Sequence, residues 1–149
     1  MALEIPERAR ARLRAWAAEA RPREACGLLI GRRRGGECRV SRAVLADNVA
    51  PADRASRYEV DPLAVVAADR RARVEGLALV GVWHSHPAGP ALPSERDRRE
   101  AWPGWLYAIV GADGRLRAWR LAADRADEVP VRVIRGDGTA DPLTAGRGS

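Results

Sequence analysis

The sequence predicts a single α/β domain built around a mixed β-sheet flanked by helices, and three observations predict it. A chain of 149 residues has the length of one compact domain with one sizeable core. Two stretches, 7–20 and 62–75, carry apolar residues at helical spacing and lie among short apolar runs of strand length. One of those runs, 77–83, holds no charged residue, the pattern of a central strand covered on both faces. No internal repeat or linker is visible. Residues 1–135 are therefore expected to form one domain and 136–149 a flexible tail.

In chain order, Pro6 starts the first helix, Ala9, Leu13, Trp16, Ala17 and Ala20 form its inward face, and Pro22 ends it. Residues 25–30 read as a buried strand closing at Gly31. Arg32-Arg33-Arg34-Gly35-Gly36 reads as a solvated hairpin tip, and 38–46 as the returning strand. A loop over 48–56 and a short strand over 57–60 follow. Asp61-Pro62 is an N-cap with proline at the first helical position, and the helix after it is expected to bury Leu63, Val66, Ala67 and Val74 before Gly76 stops it. Beyond 77–83 come His84-Ser85-His86-Pro87, a Gly/Pro-rich loop and a short charged helix from Ser94. Strands at 105–111 and 115–121 flank the turn Ala112-Asp113-Gly114, and a last strand covers 129–134.

Hydrophobic content of 46% with 31% charged residues fits a globular protein and excludes a disordered one. No apolar run approaches the roughly 18 residues that span a bilayer, and the N-terminus lacks a secretory pattern, so a cytoplasmic protein without membrane partners is expected. Cys26 and Cys38 are too few for a disulfide framework and match no cysteine-based zinc pattern; two small buried thiols are expected. The net charge of +6 comes from 26 basic residues that are all arginine, with lysine, glutamine and phenylalanine absent. That composition follows a GC-rich genome whatever the function, so nucleic acid is not the expected partner. A positive surface equally suits an acidic protein.

The chemistry starts from the only two histidines. His84 and His86 are two apart at the mouth of the predicted central strand, a spacing that projects both imidazoles to one face. Asp97, eleven residues beyond His86, supplies a hard oxygen donor. Two imidazoles and a carboxylate fill three positions of a zinc site and leave a fourth for water. Against this, Ser94-Glu95-Arg96-Asp97 is also a helix capping box, and a lone His-x-His is often surface decoration.

The conjunction His84-Ser85-His86, seven residues, then Ser94-Glu95-Arg96-Asp97 resembles the His-x-His-x7-Ser-x-x-Asp signature of JAMM (MPN+) metalloproteases. The upstream Glu24-Ala25-Cys26-Gly27-Leu28-Leu29-Ile30-Gly31 is similar to the family's Glu-x-Cys-Gly-Leu-Leu-x-Gly element. Asn48 and the stretch from Tyr58 to Pro62 also resemble family positions, and the likeness runs from about residue 1 to 121. It implies a single JAMM/MPN domain with cytidine deaminase-like layering. One Zn2+ would be held by His84, His86 and Asp97, with Glu24 as general base and then acid and Ser94 donating to the oxyanion. As a metal ligand Asp97 is expected to leave the capping box open. Ser85, on the opposite strand face, is given no catalytic part, and no organic cofactor is implied.

About eight residues separate Asp97 from the next strand, too few for a long insertion, so the chain looks like the stand-alone prokaryotic members. These are implied to cleave peptide or isopeptide bonds after the Gly-Gly tail of small ubiquitin-like proteins of the sulfur-carrier kind. Such a tail is expected between the loops at 48–56 and 89–93, with Trp102 in contact with substrate. Two readings compete: a non-catalytic MPN scaffold, which would lack ligands that are present here, and a RadC-like DNA-associated protein, which the Glu24 to Gly31 element does not match. A zinc deaminase is excluded by the absence of Cys-x-x-Cys and His-x-Glu. The oligomeric state stays open.

Overall fold

In a computed structural model of the protein, whose described residues are 1–136, eight strands form one mixed sheet. The elements run β1 (Ala2–Pro6), α1 (Glu7–Ala20), β2 (Cys26–Arg34), β3 (Glu37–Ala46), α2 (Pro62–Val74), β4 (Ala78–Ser85), α3 (Glu95–Arg99), β5 (Leu106–Val110), β6 (Leu116–Ala122), β7 (Arg125–Val129) and β8 (Val131–Ile134). Strand order is β7-β6-β5-β4-β2-β3-β1-β8. The α/β reading therefore holds, and the strand expected to be central, β4, lies between antiparallel β2 and parallel β5.

The two faces of the sheet bury different side chains because strand residues alternate. Leu29 and Trp83 pack with Leu13 and Ala17 of α1 on one face, where Trp16 stacks on Trp83 at 5.7 Å. Leu28, Ile30 and Val82 pack with Ala68 and Ala72 of α2 on the other. Gly27 sits where β2, β3 and Trp83 crowd: the Trp83 Nε1–H donates to the Val44 carbonyl at 3.0 Å, and a Cβ at position 27 would collide with both. Gly31 is needed for the same reason, since a Cβ there would meet the Arg39 carbonyl.

Several elements depart from expectation. β2 does not close at Gly31 but runs on to Arg34, and its exposed arginines belong to the strand, with the turn at 35–36. Residues 57–60 form no strand; only the bridge Asn48↔Val60 ties this segment back, because Asn48 takes up the backbone groups a ladder would use. The inward face of α2 is Val65, Ala68 and Ala72, whereas Leu63 is 76% and Val74 88% exposed and Val66 and Ala67 face outward. The small face wins because alanines let the helix lie close on β2 and β4. Pro130 divides the predicted last strand in two. β7 forms a hairpin with β6, and β8 pairs parallel to β1 at the far edge. The tail expected at 136–149 falls, from 137 on, outside the described residues. No helix among the described residues is long and apolar enough to cross a membrane.

Candidate metal centre

Topology explains how residues sixty positions apart meet. β2 and β4 are antiparallel in the register Cys26↔His84, so the start of one strand lies against the end of the other. Continued outward, that register sets Glu24 beside His86. The pairing of β4 with β5 extends through the His86 N–H, which donates to the Val110 carbonyl at 2.8 Å. His84 is fully buried and Glu24 is 5% exposed. Glu24, His84 and His86 each offer a ligand atom, and these lie within 4.8 Å of one another.

Asp97 arrives from a third direction. The loop after β4 is pinned to the β5–β6 hairpin: the buried Trp119 indole donates to the Ala91 carbonyl at 3.0 Å, and the Ala112 N–H to the Gly89 carbonyl at 2.8 Å. This carries α3 over the end of β4. The Asp97 carboxylate lies 3.2 Å from His86 Nε2 and 3.7 Å from His84 Nε2. All four residues predicted as ligands or base are thus brought together, with Ser94 at the cap of α3.

The capping box is closed, contrary to expectation. Ser94 Oγ accepts from the Asp97 N–H at 3.0 Å, and the Asp97 carboxylate accepts from the Ser94 N–H at 2.9 Å. A carboxylate has about four lone-pair sites, so capping does not exhaust it.

The surroundings tune each group. His86 Nδ1 lies 2.9 Å from the Pro90 carbonyl, to which it donates, and with the second ring nitrogen also protonated Nε2–H donates to Asp97 at 3.2 Å. Burial would lower the His86 pKa, but the hydrogen bonds to Asp97 and Pro90 outweigh it and raise it. Burial raises the Asp97 pKa, yet the His86 hydrogen bond, the His84 charge and the Ser94 amide hold it at about 2. Cys26, opposite His84, is pushed up to about 12 by burial and the Glu24 and Asp47 carboxylates, so it stays a thiol.

The donor set fits a zinc ion on an observation independent of any motif. Glu24 Oε1 and both His84 ring nitrogens are buried and have no hydrogen-bond partner. Each such orphan costs about 1–3 kcal/mol, and a cation beside the Nε2 atoms of the two histidines and the Asp97 carboxylate would satisfy the one on the Asp97 side, His84 Nε2. Glu24 approaches His84 from the Nδ1 side at 3.5 Å, Asp97 from the Nε2 side. The side on which the Nε2 atoms of both histidines meet a carboxylate is that of Asp97.

Three residues outside the predicted set shape this centre. Tyr58 stacks on His84 at 4.2 Å between ring centroids, 18° from parallel; burial and the nearby Asp97 charge raise its pKa well above the usual phenol value. Asn48 Nδ2 donates to the Glu24 carbonyl at 3.1 Å and Ser85 Oγ accepts from the Ala25 N–H at 2.8 Å. Tyr58 and Asn48 had only the family likeness as a signal, and Ser85 had none. Trp102, half exposed, lines a groove of about 570 Å³ with Tyr58, Val66 and Tyr107; the loop at 89–93 does not line it.

Comparison with known proteins follows the geometry. The model of prokaryotic homologues of the JAB domain matches residues 6–122. A probable TtuB-protein conjugate cleaving protease of Thermus thermophilus is 42% identical over 76% of this chain and 70% of its own. A desampylase of Haloferax volcanii is 38% identical over 75% and 79%, and one of Pyrococcus furiosus 33% over 74% and 76%. Among solved structures, a protein from Desulfitobacterium hafniense superposes with a TM-score of 0.81 at 30% identity, covering 89% of this chain and 93% of that one. One from Salinibacter ruber gives 0.65 at 38%, covering 93% and 94%.

Proposed function

The chain belongs to the family of prokaryotic homologues of the JAB domain, the stand-alone prokaryotic JAMM/MPN proteins, and from that premise we propose that it is a zinc-dependent hydrolase of protein conjugates. In this reading it cleaves the peptide or isopeptide bond after the Gly-Gly tail of a small ubiquitin-like protein of the sulfur-carrier kind, and residues 1–135 are its catalytic domain. One observation carries the reading: the Asp97 carboxylate within 3.2 and 3.7 Å of the two histidine Nε2 atoms, with the unpartnered Glu24 Oε1 on the far side of His84. The names of the relatives, a conjugate cleaving protease and two desampylases, support the substrate class.

His84, His86 and Asp97 would hold the ion. When bound, zinc lowers the pKa of a water toward neutrality and polarises a carbonyl beside it. Glu24 takes the proton of the attacking water and delivers it to the departing amine, a cycle that needs a carboxylate free of fixed partners. The Ser94 hydroxyl accepts the Asp97 amide and keeps its own proton for the scissile carbonyl oxygen. Tyr58 covers one face of His84 and keeps water from it. Glycines at the end of the tail let the substrate backbone approach these groups closely, with Trp102 and the groove it lines beside Tyr58 as the apolar contact of the substrate.

The test is incubation with a Gly-Gly-tailed ubiquitin-fold protein bearing a C-terminal extension or a lysine-linked partner, with and without chelator, read by mass spectrometry. Release of a product ending in Gly-Gly, abolished by chelator and restored by zinc, is the expected result. Intact conjugate at full zinc loading, as a non-catalytic scaffold would leave it, contradicts the proposal.

A further inference from the structure

We infer that Ser85 and Asn48 are positioning residues for the Glu24 carboxylate, acting through the one peptide unit that joins Glu24 to Ala25; the inference rests on Glu24 being the general base. The two ends of that unit are gripped by side chains from different parts of the fold. Its N–H, that of Ala25, donates to Ser85 Oγ at 2.8 Å, and its carbonyl, that of Glu24, accepts from Asn48 Nδ2 at 3.1 Å. The preceding unit is held as well, because the Glu24 N–H donates to the Arg54 carbonyl at 2.7 Å. Both backbone dihedrals of Glu24 are thereby fixed.

Glu24 needs this because it forms no ladder pair of its own and its Oε1 makes no hydrogen bond, its contact with the His84 ring being 3.5 Å long. It precedes the first ladder pair of β2, Cys26↔His84, so sheet pairing does not set its backbone. Its buried Oε1 has no hydrogen-bond partner, so the side chain is not anchored at its own tip. A base must nevertheless stand within hydrogen-bond reach of the proton it takes. The clamp supplies that placement from behind, by fixing the direction in which the Cβ leaves the backbone.

The two clamp residues are built for the task. Ser85 is 2% exposed on the face of β4 turned away from the histidines, and it meets Ala25 twice, its own N–H donating to the Ala25 carbonyl at 3.0 Å. A buried hydroxyl holds its place by such a bond. Asn48 is saturated: its second amide proton goes to the Arg57 carbonyl at 3.0 Å, and its Oδ1 accepts from the Ala50 and Glu59 amides, each at 3.1 Å. It fixes the Glu24 carbonyl to a loop that it also organises.

The experiment compares wild type, Ser85→Ala, Ser85→Thr, Asn48→Asp and Glu24→Gln. Each is measured for zinc content, for hydrogen exchange of the Ala25 amide by NMR, and for kcat and KM on the Gly-Gly conjugate. Ser85→Ala is expected to bind zinc as wild type does, to exchange the Ala25 amide about tenfold faster or more, and to lose roughly 10–10² in kcat with KM held within about twofold. Ser85→Thr, which keeps the hydroxyl, restores protection and most of kcat. Asn48→Asp keeps the Oδ1 acceptor but cannot donate; its loss also falls on kcat, and it decides the matter if Ser85→Ala does not fold. A Ser85→Ala enzyme whose Ala25 amide has lost protection while kcat stays within about twofold of wild type overturns the inference, as does Ser85→Thr no better than Ser85→Ala. Failure of the underlying reading looks different, since Glu24→Gln would then turn over as wild type does.

Discussion

Two carboxylates reach His84 at opposite ring nitrogens, and they differ in their partners. Asp97 is tied to the cap of α3 and held near a pKa of 2, whereas Glu24 Oε1 makes no hydrogen bond and has only the His84 ring beside it, at 3.5 Å. Glu24→Gln is therefore expected to keep full zinc content and lose about 10²–10⁴ in kcat, measured on metal-loaded protein. Ser94→Ala is expected to bind zinc normally and lose about 10²–10³ in kcat, and thermal melting should show a further loss of about 1 kcal/mol from the missing cap. The histidine pair and Asp97 were legible as a donor set because their spacing is local. Strand alternation also read the direction of Ser85 correctly. No catalytic part was expected of Ser85, and the positioning role inferred above is a different one: the face away from the histidines is where the chain entering β2 passes, a fact of register that no local pattern records. Asp97 was treated as ligand or cap, when a carboxylate has lone pairs for both.

At the scale of elements, the glycines of the Glu24 to Gly31 segment record how closely β2 is packed between β3 and β4. Gly27→Ala forces a methyl against the Val44 carbonyl and the Trp83 indole, so chemical denaturation should show a loss of about 1–3 kcal/mol or more, without change in the spacing of the zinc donors. In α2 the sequence pattern pointed to the wrong face, because the large residues Leu63, Val66 and Val74, with Ala67 among them, defined it, and Ala68 and Ala72 were given no weight. Leu63→Ser should then change stability by no more than about 0.5 kcal/mol, while Ala72→Leu, at a fully buried contact, should cost about 1–3 kcal/mol. Strands at or next to the sheet edges were the least visible. β1, between β3 and the edge strand β8, is five residues of mixed character, and the edge strand β7 carries Arg125, Asp127 and Glu128; their partners supply the order.

For the molecule as a whole, the sheet serves as a frame that brings three separate chain segments to one point. The segment entering β2 supplies Glu24, the end of β4 and the residue after it the two histidines, and α3 with its cap, carried by a loop pinned by Trp119, supplies Ser94 and Asp97. The fold class and the family were readable because the motif residues occupy strand ends and a helix cap, where local rules apply; the Trp119 pin joins segments far apart in sequence and left no trace there, and Asn48 was marked by the family likeness alone. The convergence is tested most directly by crystallography of the zinc-soaked protein with anomalous data at the zinc edge. The account predicts one ion about 2.0–2.2 Å from a nitrogen of His84, a nitrogen of His86 and an Asp97 oxygen, with the Glu24 carboxylate outside bonding distance of the metal. An ion held by Glu24 in place of Asp97, or no ion at this centre at saturating zinc, would contradict it.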